Sequence, residues 1–226
     1  MIEATMKEKV KEFIVKNFKW IILFICLIGF LAIAENVFNK EIMNGDIVGY
    51  KLISTFLISD FATPIAKFIT NFGDAIFLTV LTIILFILIK NKKIGVSIFS
   101  NLVIITALNQ LLKNILQRPR PTEYRIIEET GYSFPSGHSM ISMAFYGYII
   151  YLIYKYVKNK YIKWISIVLL SILICSIGIS RIYLGVHYTS DVLGGFLISV
   201  SYLVIYISAV IKSFVLWNNC EQKMGR

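Results

Sequence analysis

Residues 139–179 read SMISMAFYGYIIYLIYKYVKNKYIKWISIVLLSILICSIGI. Two apolar runs, Ser139–Val157 and Trp164–Ile179, flank a short connection carrying Lys155, Lys158, Lys160 and Lys163. This is the pattern of a helical hairpin in a bilayer. The runs approach the roughly 20 residues that a hydrocarbon core requires, and the turn's lysines can reach back to headgroups. The pattern recurs upstream, where Ala75–Ile89 and Ile94–Leu116 flank Lys90-Asn91-Lys92-Lys93. Trp20–Ala34 and Val192–Leu216 complete six apolar stretches. The two shortest, Trp20–Ala34 and Ala75–Ile89, can extend into residues 14–19 and 68–74.

The composition agrees. Hydrophobic residues make up 57% of the 226-residue chain and charged residues 16%, against roughly 45–50% and 25% in soluble globular proteins. Mean hydropathy is +0.73. These values exclude a disordered chain and a disulfide scaffold, and they predict an all-α, polytopic six-transmembrane-helix bundle forming one domain over residues 1–226. Cys26, Cys175 and Cys220 have no paired spacing. The first two read as buried small hydrophobes and the third as a tail thiol.

Sorted along this topology, the formal charge of +10 acquires a meaning. The N-terminus, the two tight loops and the C-terminal tail hold fifteen of the 23 Lys/Arg and four acids, a net +11. The opposite side sums to −1. Positive-inside then predicts both termini in the cytoplasm, in a multi-pass plasma-membrane protein. Trp20, Trp164 and Trp217 fall at the cytoplasmic ends of their segments, as an aromatic belt would. The basicity is topological and implies no nucleic-acid partner. The Lys-rich start followed by Ala32-Ile33-Ala34 also matches a cleavable signal. Its removal would leave five spans, so the segment is read as a retained first span. Residues 35–74 form an outer segment in which Ile47–Ile53 and Pro64–Thr70 intersperse lysines with bulky apolar residues. They are expected as short interfacial helices, either a lipid-entry rim or plain interfacial packing.

Four of the five arginines (Arg118, Arg120, Arg125 and Arg181) lie on the outer side, where lysine is sparse. A planar guanidinium suits bidentate oxyanion binding, although Arg125 reads better as a helix-end contact with headgroups. Lys113 occupies the end of the third span, and Arg118-Pro119-Arg120-Pro121 stops the helix and folds Arg120 back towards it. Alone, this cluster could equally be a snorkelling helix end. Phe134-Pro135-Ser136-Gly137-His138-Ser139 opens the fourth span with unpaired backbone amides, an anion site or a simple cap. Ser180-Arg181 and His187-Tyr-Thr-Ser-Asp191 open the sixth span. On a helix, His187 and Asp191 share one face, so the carboxylate can fix the imidazole tautomer and leave the other nitrogen nucleophilic. His138 and His187 are the chain's two histidines, and both sit at outer helix ends.

Lys113-x6-Arg120-Pro121, Pro135-Ser136-Gly137-His138 and Ser180-Arg181-x5-His187-x3-Asp191 together resemble the type-2 phosphatidic acid phosphatase superfamily. The three motifs are complete and in order over residues 113–191, about a third of the chain. Vanadium haloperoxidases share the pattern but are soluble. The resemblance implies that His187 attacks phosphorus to form a phosphohistidine, with Asp191 orienting it. His138 protonates the leaving oxygen and then activates water. Lys113, Arg120, Arg181, Ser136 and Gly137 hold the phosphoryl oxygens. No metal and no other cofactor is implied, and no obligate protein partner. The implied substrate is a membrane lipid phosphate or diphosphate (undecaprenyl diphosphate, phosphatidylglycerophosphate or phosphatidate), met at the outer membrane–water interface. The alternatives are a lipid phosphotransferase using the same intermediate and a non-catalytic lipid-phosphate binder or flippase.

Overall fold

A computed structural model describes the backbone of residues 2–40 and 42–224, and the side chains of residues 16–40 and 42–213. The regular elements among the described residues are all helices, without strands. The helices are α1 (Ile2–Phe38), α2 (Asn44–Phe56), α3 (Ala62–Thr70), α4 (Ala75–Leu88), α5 (Lys92–Leu116), α6 (Gly137–Tyr156), α7 (Lys160–Tyr183) and α8 (Thr189–Met224). Each of the six apolar runs falls on its own helix, α1 and α4–α8. The Lys-rich connections predicted to be tight are tight. Asn91 and Asn159 cap α5 and α7, their side-chain oxygens accepting from the Lys93 and Tyr161 amides.

Four helical segments are long and apolar enough to cross a membrane: Lys16–Phe38, Lys92–Leu116, Lys160–Tyr183 and Thr189–Ser213. A fifth candidate is broken. The single turn Asn71–Gly73 continues α3, and α3 with this turn meets α4 at 52°. Asp74 sits at the bend and caps α4, accepting from the Ile76 amide at 2.7 Å. The expected extension of the second span into residues 68–74 is therefore a bent one.

The helix α6 has 20 residues, about 30 Å of rise, but it falls outside the apolar set because its surroundings are protein. It packs between α5, α7 and α8 and buries Met140, Ala144, Phe145 and Tyr148 completely. Its Ser139 and Ser142 are also buried. Polar groups tie this centre together. Asn101 Nδ2 donates to the Ala144 carbonyl at 3.0 Å, and Tyr148 donates to Ser97 Oγ at 2.8 Å. Away from the centre, large apolar side chains such as Ile28, Leu31, Ile87, Leu169 and Ile172 are exposed along their helices. Such surfaces suit lipid and not water.

One expectation changes, the burial of the cysteines. The helix α1 runs unbroken through Ala32–Ala34 and packs on α8, with Ala34 and Val37 buried. Cys175 is exposed and Cys26 half-buried, because a lipid-facing position accepts a thiol as readily as a core does. Cys220 and Trp217 lie outside the described side chains. The expected interfacial helices are present as α2 and α3, packed on α7, with α2 also touching α8.

Gly185 shapes the turn between α7 and α8. Its φ is +70°, and a Cβ there would lie 2.1 Å from the Tyr124 carbonyl oxygen. Gly131 has nearly the same φ, +72°, but nothing within 4 Å. Gly185→Ala should therefore destabilise by at least about 2 kcal/mol, backbone strain plus a clash with main chain. Gly131→Ala carries the strain alone. Thermal unfolding in detergent checks this, and equal losses in the two variants would refute the clash.

Candidate active site

All three sequence clusters meet at one end of the bundle. Gln117 adopts a left-handed conformation (φ 45°) and its amide donates to the Lys113 carbonyl, which closes α5. The prolines that follow cannot continue the helix, and the loop to Ser136 is stitched to the α7–α8 turn instead. The Ser133 amide donates to the Arg118 carbonyl at 2.8 Å, Ile126 to Leu184 at 3.0 Å, and Ser136 to Asp191 at 3.1 Å. Arg125 closes its own loop, donating to the Pro121 carbonyl and pairing with Glu128 at 3.7 Å. It was expected at the headgroups.

His187 lies in the turn before α8, not on the helix, and Asp191 lies in the first helical turn. They still meet. His187 Nδ1 is 3.3 Å from Asp191 Oδ2, and both side chains are buried. The same oxygen accepts from the Tyr188 amide at 2.9 Å and from the Ser133 hydroxyl. Arg118 Nη1 donates to Asp191 Oδ1 at 2.6 Å. On the other side of the ring, Arg120 Nη1 is 3.0 Å from His187 Nε2. A guanidinium can only donate, so Nε2 carries the lone pair and Nδ1 the proton. Burial pushes the His187 imidazole down to about 4, with Arg181 and Arg120 adding to the effect and Asp191 opposing it. The ring is neutral at pH 7, in the tautomer that a nucleophile needs.

The cations surround this nitrogen. Arg120 is fixed by the carbonyls of Val186, Gly131 and Thr130, each at 3.0 Å. Arg181 reaches in from α7, donating to Thr70 Oγ1 at 2.7 Å and to Glu129, while its buried Nε has no partner. Glu129 also lies 4.0 Å from Arg120. Burial opposes ionisation of Glu129, but Arg181 and Arg120 outweigh it and hold the carboxyl below its usual range. Lys113 Nζ donates to the Tyr132 carbonyl at 2.5 Å and interacts electrostatically with Arg120 and Arg181. A Cβ at Gly137 would sit 3.2 Å from Asn109 Oδ1 and 3.9 Å from Lys113 Cε, so the glycine lets α6 begin beside the lysine. Ser136 caps α6, its Oγ accepting from the Ser139 amide and hydroxyl, which leaves its own proton uncommitted. His138 is half-buried, with no hydrogen bond to protein among the described residues. It interacts electrostatically with His187, Arg181, Arg120 and Lys113.

Every residue singled out from the motifs is in this cluster. Three that were not singled out complete it, Ser133, Glu129 and Asp46, together with Arg118, which was read as an oxyanion-binding arginine and instead pairs with Asp46 and Asp191. Arg118 carried a signal, as an outer-side arginine inside a recognised cluster. Ser133 and Glu129 sit in a loop without pattern, and Asp46 comes from α2, far away in sequence. A cavity of about 780 Å³ lies between α2, residues 121–124 and the α7–α8 turn. It reaches Asp46 and His187 but is not lined by Lys113, Arg120, Arg181 or His138. Among the described residues, no group of three or more His, Cys, Asp or Glu is placed to hold a metal ion.

Comparison with known proteins agrees with this geometry. Residues 93–214 match the model of the PAP2 superfamily. The chain is 40% identical to phosphatidylglycerophosphatase B of Bacillus subtilis over 90 residues, 39% of this chain and 44% of that protein. The match thus spans less than half the length of that relative. Undecaprenyl-diphosphatase of Sulfolobus acidocaldarius is 27% identical over 208 residues, covering 86% of this chain and 93% of that one. The crystal structure of a transmembrane PAP2-type phosphatidylglycerolphosphate phosphatase from Bacillus subtilis superposes with a TM-score of 0.73 at 27% identity. It covers 84% of this chain and 96% of the other. A family match over more than half the chain, centred on the residues that build this site, makes the protein a member of the PAP2 superfamily.

Proposed function

We propose that the protein is a membrane lipid phosphatase that hydrolyses a lipid phosphate or diphosphate through a phosphohistidine. The observation that carries this reading is a buried neutral imidazole, His187, with its free nitrogen turned towards buried cations. His187 Nε2 attacks phosphorus, and the bond from phosphorus to the lipid-side oxygen breaks. His138 gives that oxygen its proton. Water then attacks the phosphohistidine while His138 takes a proton from it, and the N–P bond breaks to release phosphate and neutral His187. Asp191 holds the Nδ1 proton throughout and stabilises the positive charge that develops on the ring. Lys113, Arg120, Arg181, the Ser136 hydroxyl and the Gly137 amide bind the phosphoryl oxygens, whose charge spreads in the transition state.

Substrate entry rearranges the site. Arg120 must turn from His187 Nε2 to a phosphoryl oxygen, and the unpartnered Arg181 Nε gains an acceptor. A dianion among these cations also favours the protonated form of His138 that the first step requires. The cations supply the charge stabilisation that a metal ion gives in other phosphatases, so the mechanism runs without one. The names of the relatives support phosphatidylglycerophosphate and undecaprenyl diphosphate as substrates, and the family resemblance adds phosphatidate.

Phosphate release from a panel of these lipids tests the reading. His187→Ala should lose about 10³-fold or more, and His138→Ala about 10²–10⁴-fold. Activity should survive EDTA and fall with vanadate. Full activity in His187→Ala would sink the mechanism, and loss in EDTA would contradict the metal-free step. Phosphate release without any added alcohol separates hydrolysis from transfer.

The charge asymmetry supports six spans, with α3–α4 as one bent span and α6 as the protein-surrounded one. Both termini would then be cytoplasmic and the site would face outward, in the plasma membrane. In a background with Cys26, Cys175 and Cys220 replaced by serine, Glu123→Cys should react with an impermeant maleimide in intact cells. Lys158→Cys should react only after permeabilisation, and the reverse pattern would invert the topology.

A further inference from the structure

The aspartate that orients His187 is itself held by groups outside the three motifs. Arg118 Nη1 donates to Asp191 Oδ1 at 2.6 Å and to Ser190 Oγ at 2.7 Å. Its Nη2 donates to Asp46 Oδ2 at 2.7 Å. Asp46 Oδ1 in turn accepts from the Ser190 amide at 2.8 Å. The guanidinium lies 4.0 Å from the Tyr188 ring centroid. Arg118 is 5% exposed, Asp46 3% and Asp191 0%. Two buried carboxylates thus share one buried cation, an arrangement that costs free energy to desolvate and is unnecessary for bundle packing.

We propose that Arg118 and Asp46 are positioning residues for the reaction, a bridge by which α2 sets the orientation and effective charge of Asp191 behind His187. The inference rests on His187 being the nucleophile. Three features favour it over a purely structural clamp. Asp191 divides its two oxygens, one to the Arg118 bridge and one towards the His187 ring. The contact to Arg118 is the shorter by far, 2.6 Å against 3.3 Å, so Arg118 draws on the carboxylate charge that the imidazole would otherwise feel. Asp46 reaches the site from α2, whose Ile47, Val48, Leu52 and Phe56 are exposed. That helix also walls the cavity that reaches His187. A shift of α2 is therefore transmitted through Asp46 and Arg118 to the carboxylate. Neither residue is placed to touch the phosphoryl group.

The test separates this role from packing. The titratable and charged groups around His187 are Asp191 from α8, Arg181 from α7, His138 from α6, Arg120 and Glu129 from the loop, Lys113 from α5 beside these arginines, and Asp46, Lys51 and Glu123 across the cavity. With two histidines in the chain, His138→Ala leaves His187 as the only imidazole, so nitrogen-15 histidine labelling reads its titration without any substrate. Arg118→Gln removes a cation near the ring and should move that titration to higher pH. Arg118→Lys should bring it back towards the starting value. In the His138-containing enzyme, Arg118→Gln and Asp46→Asn should each lower kcat about tenfold or more, with KM changed less than twofold. Arg118→Lys should remain low in kcat, because an ammonium cannot span two carboxylates as a fork does. Variants with kcat within twofold of the parent, a loss carried by KM, or a His187 titration unmoved by Arg118→Gln would each overturn the proposal. Activity surviving in His187→Ala would instead overturn the nucleophile assignment, a separate outcome read on a separate variant.

Discussion

The Asp191 carboxylate is buried and accepts hydrogen bonds from Arg118, Ser133, Tyr188 and His187. An ionised carboxylate in such a place is tolerated only when its lone pairs are matched by donors, since desolvating it costs several kcal/mol. Here the donors come from the two ends of the loop between α5 and α6 and from the turn before α8. The carboxylate is therefore where that loop and that turn are required to converge. The backbone bonds that stitch the loop down, from Ser133 to Arg118 and from Ser136 to Asp191, hold those donors in place. The geometry of His187 follows from this anchor and from the Gly185 turn that delivers the imidazole beside it.

Around the anchor the electrostatics are divided by function. Arg118 is neutralised by two aspartates and belongs to the support. Arg120 and Arg181 act on the His187 ring, Lys113 acts on both arginines, and Glu129, Asp191 and Asp74 are the anions that interact with them. In the proposed reaction a phosphoryl dianion brings these cations further negative charge. Desolvation strengthens each of these contacts relative to water. It also keeps His187 neutral. In the proposed reaction, one set of physical conditions would thus bind the substrate and prepare the nucleophile.

Much of this was legible in the sequence. The apolar runs and lysine-rich turns located α4–α7 to within a few residues and the cores of α1 and α8, which extend beyond their runs at the chain ends, because lipid imposes a length and a charge pattern that composition cannot hide. The motif residues were found because phosphate chemistry needs particular side chains at helix ends. What was missed shares one cause: contacts between segments distant in sequence. Asp46 lies 145 positions before Asp191 and no local pattern marks it. Ser133 and Glu129 are ordinary loop residues until the loop folds over the site. The bend at Asp74 and the exposure of Cys175 escaped because hydropathy does not distinguish a core-facing residue from a lipid-facing one. The i,i+4 rule placed His187 and Asp191 together for a partly wrong reason, since the histidine precedes the helix.

Placement at the helix ends is itself a physical requirement. A diphosphate or phosphate cannot be drawn far into hydrocarbon, and a lipid tail cannot be drawn far into water. A protein that joins them must put its cations at the boundary and leave its apolar surface below. In the proposed topology this chain would do so with arginine, which binds oxyanions through a fork, while lysine is used mostly in the N-terminal stretch, the two tight turns and the C-terminal tail. The net charge of +10 is therefore two separate quantities. The larger is a pattern of lysines that reads as orientation, and the smaller is a handful of buried cations, nearly cancelled by acids, that does the chemistry.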